Sequence, residues 1–156
     1  MVIGMADNMK TIAALQEIVT HLSQQSIGHR IQSRIFAAQG FSVLADKYAE
    51  HADEEMGYVI QAMDRILDLG GSIKNEAKPE MPVCENPIDW LKADLQVSIA
   101  GLKWLKDIVE AARDDYSTYD FLVTYYKDEE EDMYWAQGQL ELIEKIGEQN
   151  WLARQL

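Results

Sequence analysis

The sequence is poor in everything that staples a chain covalently or breaks it into short pieces, with one cysteine, three prolines and nine glycines in 156 residues. A lone cysteine, Cys84, excludes a disulfide framework and any multi-cysteine zinc site. Long apolar runs are absent too: none approaches the roughly 18 residues of a membrane span. The start, MVIGMADNMK, lacks the basic-then-apolar pattern of a secretory signal, so a cytoplasmic protein is expected. Positive charge is scarce, with 14 Lys+Arg against 27 Asp+Glu and a net charge of −13. That balance repels phosphate backbones and leaves no basic patch for nucleic acid, whereas cations are natural partners. What remains is one acidic domain, 47% hydrophobic, and long enough to bury roughly two-thirds of its unfolded surface without disulfides or a structural metal.

With so little turn punctuation, long helices are favoured over strands. The glycine pair and all three prolines gather in one stretch, Gly70-Gly71-Ser72 through Lys78-Pro79-Glu80-Met81-Pro82 to Asn86-Pro87. On either side the apolar spacing is three and four. The first series is Ile12, Leu15, Val19, Leu22, Ser26, His29, Ser33 and Phe36, and the second is Leu44, Tyr48, Ala52, Glu55, Val59, Ala62 and Ile66. Leu91, Leu95, Ser98, Leu102, Leu105, Val109 and Ala112 make the third, opened by Pro87 at a first-turn position. The fourth is Leu122, Tyr125, Glu129, Asp132 or Met133, Ala136, Leu140 and Ile143, ended by Gly147 before a short amphipathic tail with Trp151, Leu152 and Leu156.

These series predict an all-α fold, a four-helix bundle with helices at roughly 10–38, 41–69, 88–113 and 118–146 and a short C-terminal helix. The short joins near Gly40 and at Asp114 to Thr118 make antiparallel hairpins. The middle join, 70–87, has about 17 residues and can reach about 56 Å, more than the about 43 Å of a helix of about 29 residues. It can cross the whole bundle and set the second and third helices parallel, the one-crossover topology.

Polar residues interrupt these seams at matching depth. Glu55 falls between Ala52 and Val59, and Glu129 between Tyr125 and Asp132. A buried carboxylate must be paired, protonated or bound to a cation. Carboxylates projecting inward from facing helices are how bundles hold two metal ions, usually joined by a histidine three residues after a glutamate. No Glu-x-x-His occurs: His21, His29 and His51 follow Ile18, Ser26 and Tyr48 at that spacing. Salt bridges from Arg30 or Arg65 are the alternative neutralisers of Glu55 and Glu129. His29 lies on the first seam, where a hydrogen-bonded core role competes with ligation. His21 and His51 fall off the seams and are expected at solvent or an interface, where they could complete a site between chains.

The stretches Asp128-Glu129-Glu130, Leu140-Glu141-Leu142-Ile143-Glu144-Lys145-Ile146-Gly147 and Gln149-Asn150-Trp151-Leu152 resemble the fourth and fifth helices of bacterioferritins and related Dps-like proteins. Asp53-Glu54-Glu55-Met56, Asp64-Arg65-Ile66-Leu67 and Asp94-Leu95 with Gly101 and Leu105 extend the resemblance over most of the chain. It implies a homo-oligomeric shell of twelve or twenty-four subunits that oxidises ferrous iron at a di-iron centre and stores the ferric mineral. Carried over by position, the ligand glutamates of the second and fourth helices fall on Glu55 and Glu129. Their histidine partners fall on Tyr58 and Asp132, and the remaining glutamates on Leu22 and Ser98. The expected metal ligands are therefore Glu55, Glu129 and Asp132, three oxygen donors suited to one labile cation rather than a pair. The haem-ligating methionine falls on Met56. The expected function is iron binding and storage with an altered ferroxidase centre; the alternative is a metal-free scaffold or co-assembling subunit, with Leu22, Tyr58 and Ser98 packed around neutralised carboxylates.

Overall fold

The computed structural model describes residues 5–156, with side chains from Asn8 onward. Five helices account for nearly all of it: α1 (Met5–Ala38), α2 (Ser42–Asp68), α3 (Pro87–Ala111), α4 (Tyr116–Ile146) and the short α5 (Glu148–Ala153). The chain is all-α, a four-helix bundle with one long crossover and a short C-terminal helix. The α1 helix begins five residues before the position its apolar series marks, and the other main helices agree within two residues at each end.

Local chemistry explains the ends. Gly40 takes a φ of 87° in the turn between α1 and α2, a left-handed conformation that costs glycine least. Asn86 caps α3 by accepting from the N–H groups of Ile88 (2.9 Å) and Asp89 (3.1 Å), with Pro87 next in the first turn. Asp115 caps α4 through Thr118 N–H and also accepts from Arg65, which ties the start of α4 to the last turn of α2. Its carboxyl is held below the usual carboxylate range, because the Thr118 and Arg65 hydrogen bonds outweigh the cost of burial. Gly147, at φ 85°, turns the chain so that α5 folds back. Trp151 is then fully buried, and its Nε1–H donates to Gln139 at 2.9 Å.

The crossover, residues 69–86, follows α1 from end to end. Gln16 pairs with both the N–H and the carbonyl of Lys74, Lys78 donates to Ser23, Gln24 donates to the Pro79 carbonyl, and Gln32 pairs with both backbone groups of Cys84. The contacts advance along α1 from Gln16 through Ser23 and Gln24 to Gln32, so α3 starts at the opposite end from where α2 stops and runs parallel to it. A chain leaving α2 without regular structure thus has its backbone polar groups met by glutamine side chains.

The core is in two pieces. One apolar cluster gathers Leu15, Ile18 and Leu22 with Val59, Ile66, Leu105 and Leu122 near one end. The other gathers Phe36, Leu44, Tyr48, Leu91, Ile143 and Trp151 near the other end. Between them every main helix contributes a buried polar side chain, and this layer is the candidate site.

Candidate functional site

His29 is the centre of the layer. It is 4% exposed, and its ring spans two carboxylates: Nδ1 contacts Glu55 Oε1 on α2, and Nε2 contacts Asp94 Oδ1 on α3 at 2.8 Å. Glu55 and Asp94 are themselves buried. Ionised carboxylates only accept, so both ring nitrogens must donate, and the ring is then an imidazolium. Burial opposes that charge, but the charges and hydrogen bonds of Glu55 and Asp94 override it and hold the His29 pKa well above the ordinary imidazole value. Ser26 and Ser33, on the same seam, spend their hydroxyls on the Ala52 and Ala45 carbonyls of α2, both at 2.7 Å, and so bring α1 close to α2 at this level.

The α4 carboxyls are handled differently. Glu129 is buried, and among the described residues no hydrogen bond reaches it. Burial first, then the charges of Glu55 and Asp132, push its carboxyl well above the usual range, so it sits as the neutral acid. Asp132 is half-buried and is pushed up to about 8 by burial, then by Glu55 and Asp128. His51 Nε2 lies 3.4 Å from Asp132 Oδ1, yet neither ring nitrogen makes a hydrogen bond. Burial, with the charges of His29 and Lys47, lowers His51 to about 3, so this contact joins a neutral imidazole to a mostly protonated acid and is no ion pair.

The structure therefore puts Glu55, Glu129 and Asp132 within electrostatic reach of one another, with Glu130 half-buried and Glu131 exposed on α4's other faces. Two expectations are corrected. Arg30 and Arg65 do not neutralise the inner glutamates: Arg30 pairs with exposed Asp53, and Arg65 with Asp115 and Asp68. His51 is not at solvent or an interface but 2% exposed, because Trp135 of α4 packs edge-on against it at 5.6 Å and Tyr48 at 5.3 Å. Met56 lies on another face of α2, half-buried against the first apolar cluster and apart from the layer. Asp94 is the inward carboxylate that seam reading missed. It follows Leu91 by three residues and precedes Ser98 by four, the spacing of the buried face.

The donor set does not fit a two-metal centre. Leu22 and Ser98, on which the resemblance places two further ligand glutamates, are buried and carry no carboxylate. Tyr58 stacks on Tyr125 at 5.1 Å, with its phenol pushed up by burial and Asp128, so it remains a neutral hydroxyl. Glu55 Oε1 already serves His29, and among the described residues no three His, Cys, Asp or Glu side chains converge as a metal-ligating group. No helix is long and apolar enough to cross a membrane among the described residues.

Comparison with known proteins matches residues 12–146 to the ferritin-like domain family. A bacterial ferritin of Neisseria meningitidis serogroup B is 32% identical over 155 residues, covering 97% of this chain and 100% of its own length. Bacterial ferritins of Synechocystis and Pseudomonas aeruginosa are 32% and 31% identical over 130 residues, covering 81% of this chain and 83% of their own.

Proposed function

Because the chain belongs to the ferritin-like family, we propose that it is a subunit of a homo-oligomeric, iron-storing shell whose ferroxidase centre is altered. The observation that carries the alteration is His29 bridging Glu55 and Asp94 where inward carboxylates would otherwise face a metal ion. The imidazolium offsets one of the two charges that it bridges and protons keep Glu129 and Asp132 neutral, so all but one of the layer's charges are compensated within the chain. The acidic surface, at −13 overall, draws ferrous ions to the shell as substrate. Within the bundle such an ion meets Glu55, Glu129 and Asp132. Holding it there requires His29 to release Glu55, and Glu129 and Asp132 to give up their protons, so one ion is held weakly and less well as pH falls. The chain's residues thus favour retention of iron in the shell over rapid oxidation inside the subunit. A haem between two copies of Met56 is the further expectation, read by a pyridine haemochrome spectrum of the purified protein.

Aerobic addition of ferrous iron to the assembled protein, followed by ultraviolet absorbance and then by iron and protein analysis across a density gradient, tests this. The expected result is slow oxidation without a rapid phase saturating at two ions per subunit, followed by co-sedimentation of iron with protein. A rapid two-ion phase defeats the altered-centre reading, and iron that never travels with the protein defeats storage. Glu129→Ala should leave bulk retention unchanged and remove any weak single-ion signal. The scaffold reading is favoured by the same internal compensation of charge; it predicts that native mass spectrometry finds bare chains, alone or mixed with another ferritin-like subunit.

A further inference from the structure

Between α1 and α3, under the crossover, lies a cavity of about 670 Å³. It exists because the facing helices carry little there. Gly28 on α1 and Gly101 on α3 line it, and a Cβ added at either would meet nothing within 4 Å. Ala93, Val97 and Ala100 form the rest of the α3 wall, and Trp90 and Trp104 bracket it, one seven residues before Val97 and the other seven after. Both indoles thus share one helical face. On the crossover side Pro79 and Met81 close over it, the strap being held to α1 by the Gln24 and Lys78 hydrogen bonds.

Its bundle side is polar. His29, Asp94 and Glu129 all line it. His29 and Asp94 are satisfied by each other, whereas Glu129, 7% exposed, has no hydrogen-bond partner among the described residues. A buried carboxyl facing open space, with aromatic and aliphatic walls around it, has the makings of a small-molecule site: an apolar body with one placed polar group that fixes orientation. At this depth the ionised carboxylates, Glu55 and Asp94, outnumber the one cationic ring, His29, and Glu129 keeps a proton whose place an ammonium group can take. The basic groups on the mouth side are His21, edge-on to Trp104 at 5.9 Å, and Lys78, already bonded to Ser23. Charge at the inner end therefore selects a positive head group.

We propose that this cavity is a binding site for an arylmethyl amine, its flat ring held between the α3 wall and the crossover and its ammonium group donating to Glu129. Indole faces nearby favour both the ring and the cation. The volume is within the range that encloses most of a small ligand. This site does not depend on the iron reading, since it needs neither a metal nor the shell cavity.

The test is isothermal titration of the assembled, chelator-treated full chain with 2-naphthylmethylamine, 2-naphthalenemethanol and 2-naphthoate, three probes of one ring that differ in head group. Saturable binding of the amine, one per chain and about tenfold or more tighter than the alcohol, is expected as the ammonium group takes the place of the Glu129 proton and donates to the carboxylate left behind. Glu129→Gln should bring amine and alcohol to within about threefold of each other. Ala100→Trp, at an exposed wall position, should abolish binding while leaving circular dichroism and assembly size unchanged. Amine and alcohol binding equally, naphthoate binding tightest, absence of saturable binding, or full binding by Ala100→Trp would each overturn the proposal.

Discussion

Replacing Asp132 with asparagine should make the protein more stable at pH 8 and leave it nearly unchanged at pH 4. In the folded chain burial, then the charges of Glu55 and Asp128, raise this carboxyl from 3.8 to about 8. Between those values the folded state holds a proton that the unfolded chain has released, so stability from this group is full below about 4 and is lost as pH rises toward 8. A gap of about four pH units at about 1.4 kcal/mol each sets a ceiling of about 6 kcal/mol. The side chain is 20% exposed, so water screens part of that penalty, and roughly half, about 3 kcal/mol, is the expected effect. Asparagine keeps the shape and cannot ionise, so the variant lacks this part of the pH slope. Thermal melts of chelator-treated wild type and Asp132→Asn, at one protein concentration from pH 4 to pH 8.5, should start together and diverge by about 6–12 °C at the alkaline end. Titrating groups outside this layer act on both proteins and cancel in the difference. A constant offset across pH, or a variant less stable at pH 8, would refute the reasoning that Asp132 is a buried, proton-holding acid.

Three further perturbations address the rest of the architecture. His29→Leu strands Glu55 and Asp94 without their shared donor and should cost about 3–5 kcal/mol at pH 7, read as a lower urea midpoint; wild-type stability in this variant would mean that the two carboxyls do not need the imidazolium. Gln32→Ala removes the 2.8 and 2.9 Å bonds to the Cys84 backbone and should destabilise the crossover locally by about 1–3 kcal/mol, seen as faster amide exchange at Cys84 and faster proteolytic nicking of residues 77–85. Equal protection in both proteins would show that the glutamine does not hold the strap. Trp151→Ala empties a fully buried indole site and should cost about 3–5 kcal/mol, with loss of the near-ultraviolet circular dichroism from that ring; a loss under about 1 kcal/mol would separate α5 from the core.

The bundle was readable from local signals because its helices are amphipathic and its breakers cluster. Three-and-four spacing marks the seams, Asn86-Pro87 marks the start of α3, and the length of the middle join selects the crossover. The site was readable only in part. Glu55 and Glu129 stand out since an acid on an apolar seam is a local anomaly. Asp94 occupies the same kind of position, but its meaning lies in a bond to His29, 65 residues away in the chain, and no local pattern encodes that partner. His51 sits one residue before Ala52 on the seam, and the rings packed against it, Trp135 from α4, His29 from α1 and Tyr48, make it interior. The beginning of α1 ran past its apolar series because helix continues after the buried stripe has ended.

The division of the core by a charged and hydroxylated layer limits how the helices can be misaligned. In a uniformly apolar bundle, sliding one helix by a turn, about 5.4 Å, exchanges one aliphatic contact for another at little cost. Here the same slip of α1 would bring Gln25 or Ser33 to the place of His29 and leave Glu55 and Asp94 without the imidazolium they share, while Ser26 and Ser33 would lose the Ala52 and Ala45 carbonyls. The crossover would slip with it, since Gln16 and Gln32 are matched to backbone groups at fixed intervals. The polar layer is thus a key cut for one alignment of the four helices, a use to which buried ionic groups are well suited even when they add little net stability.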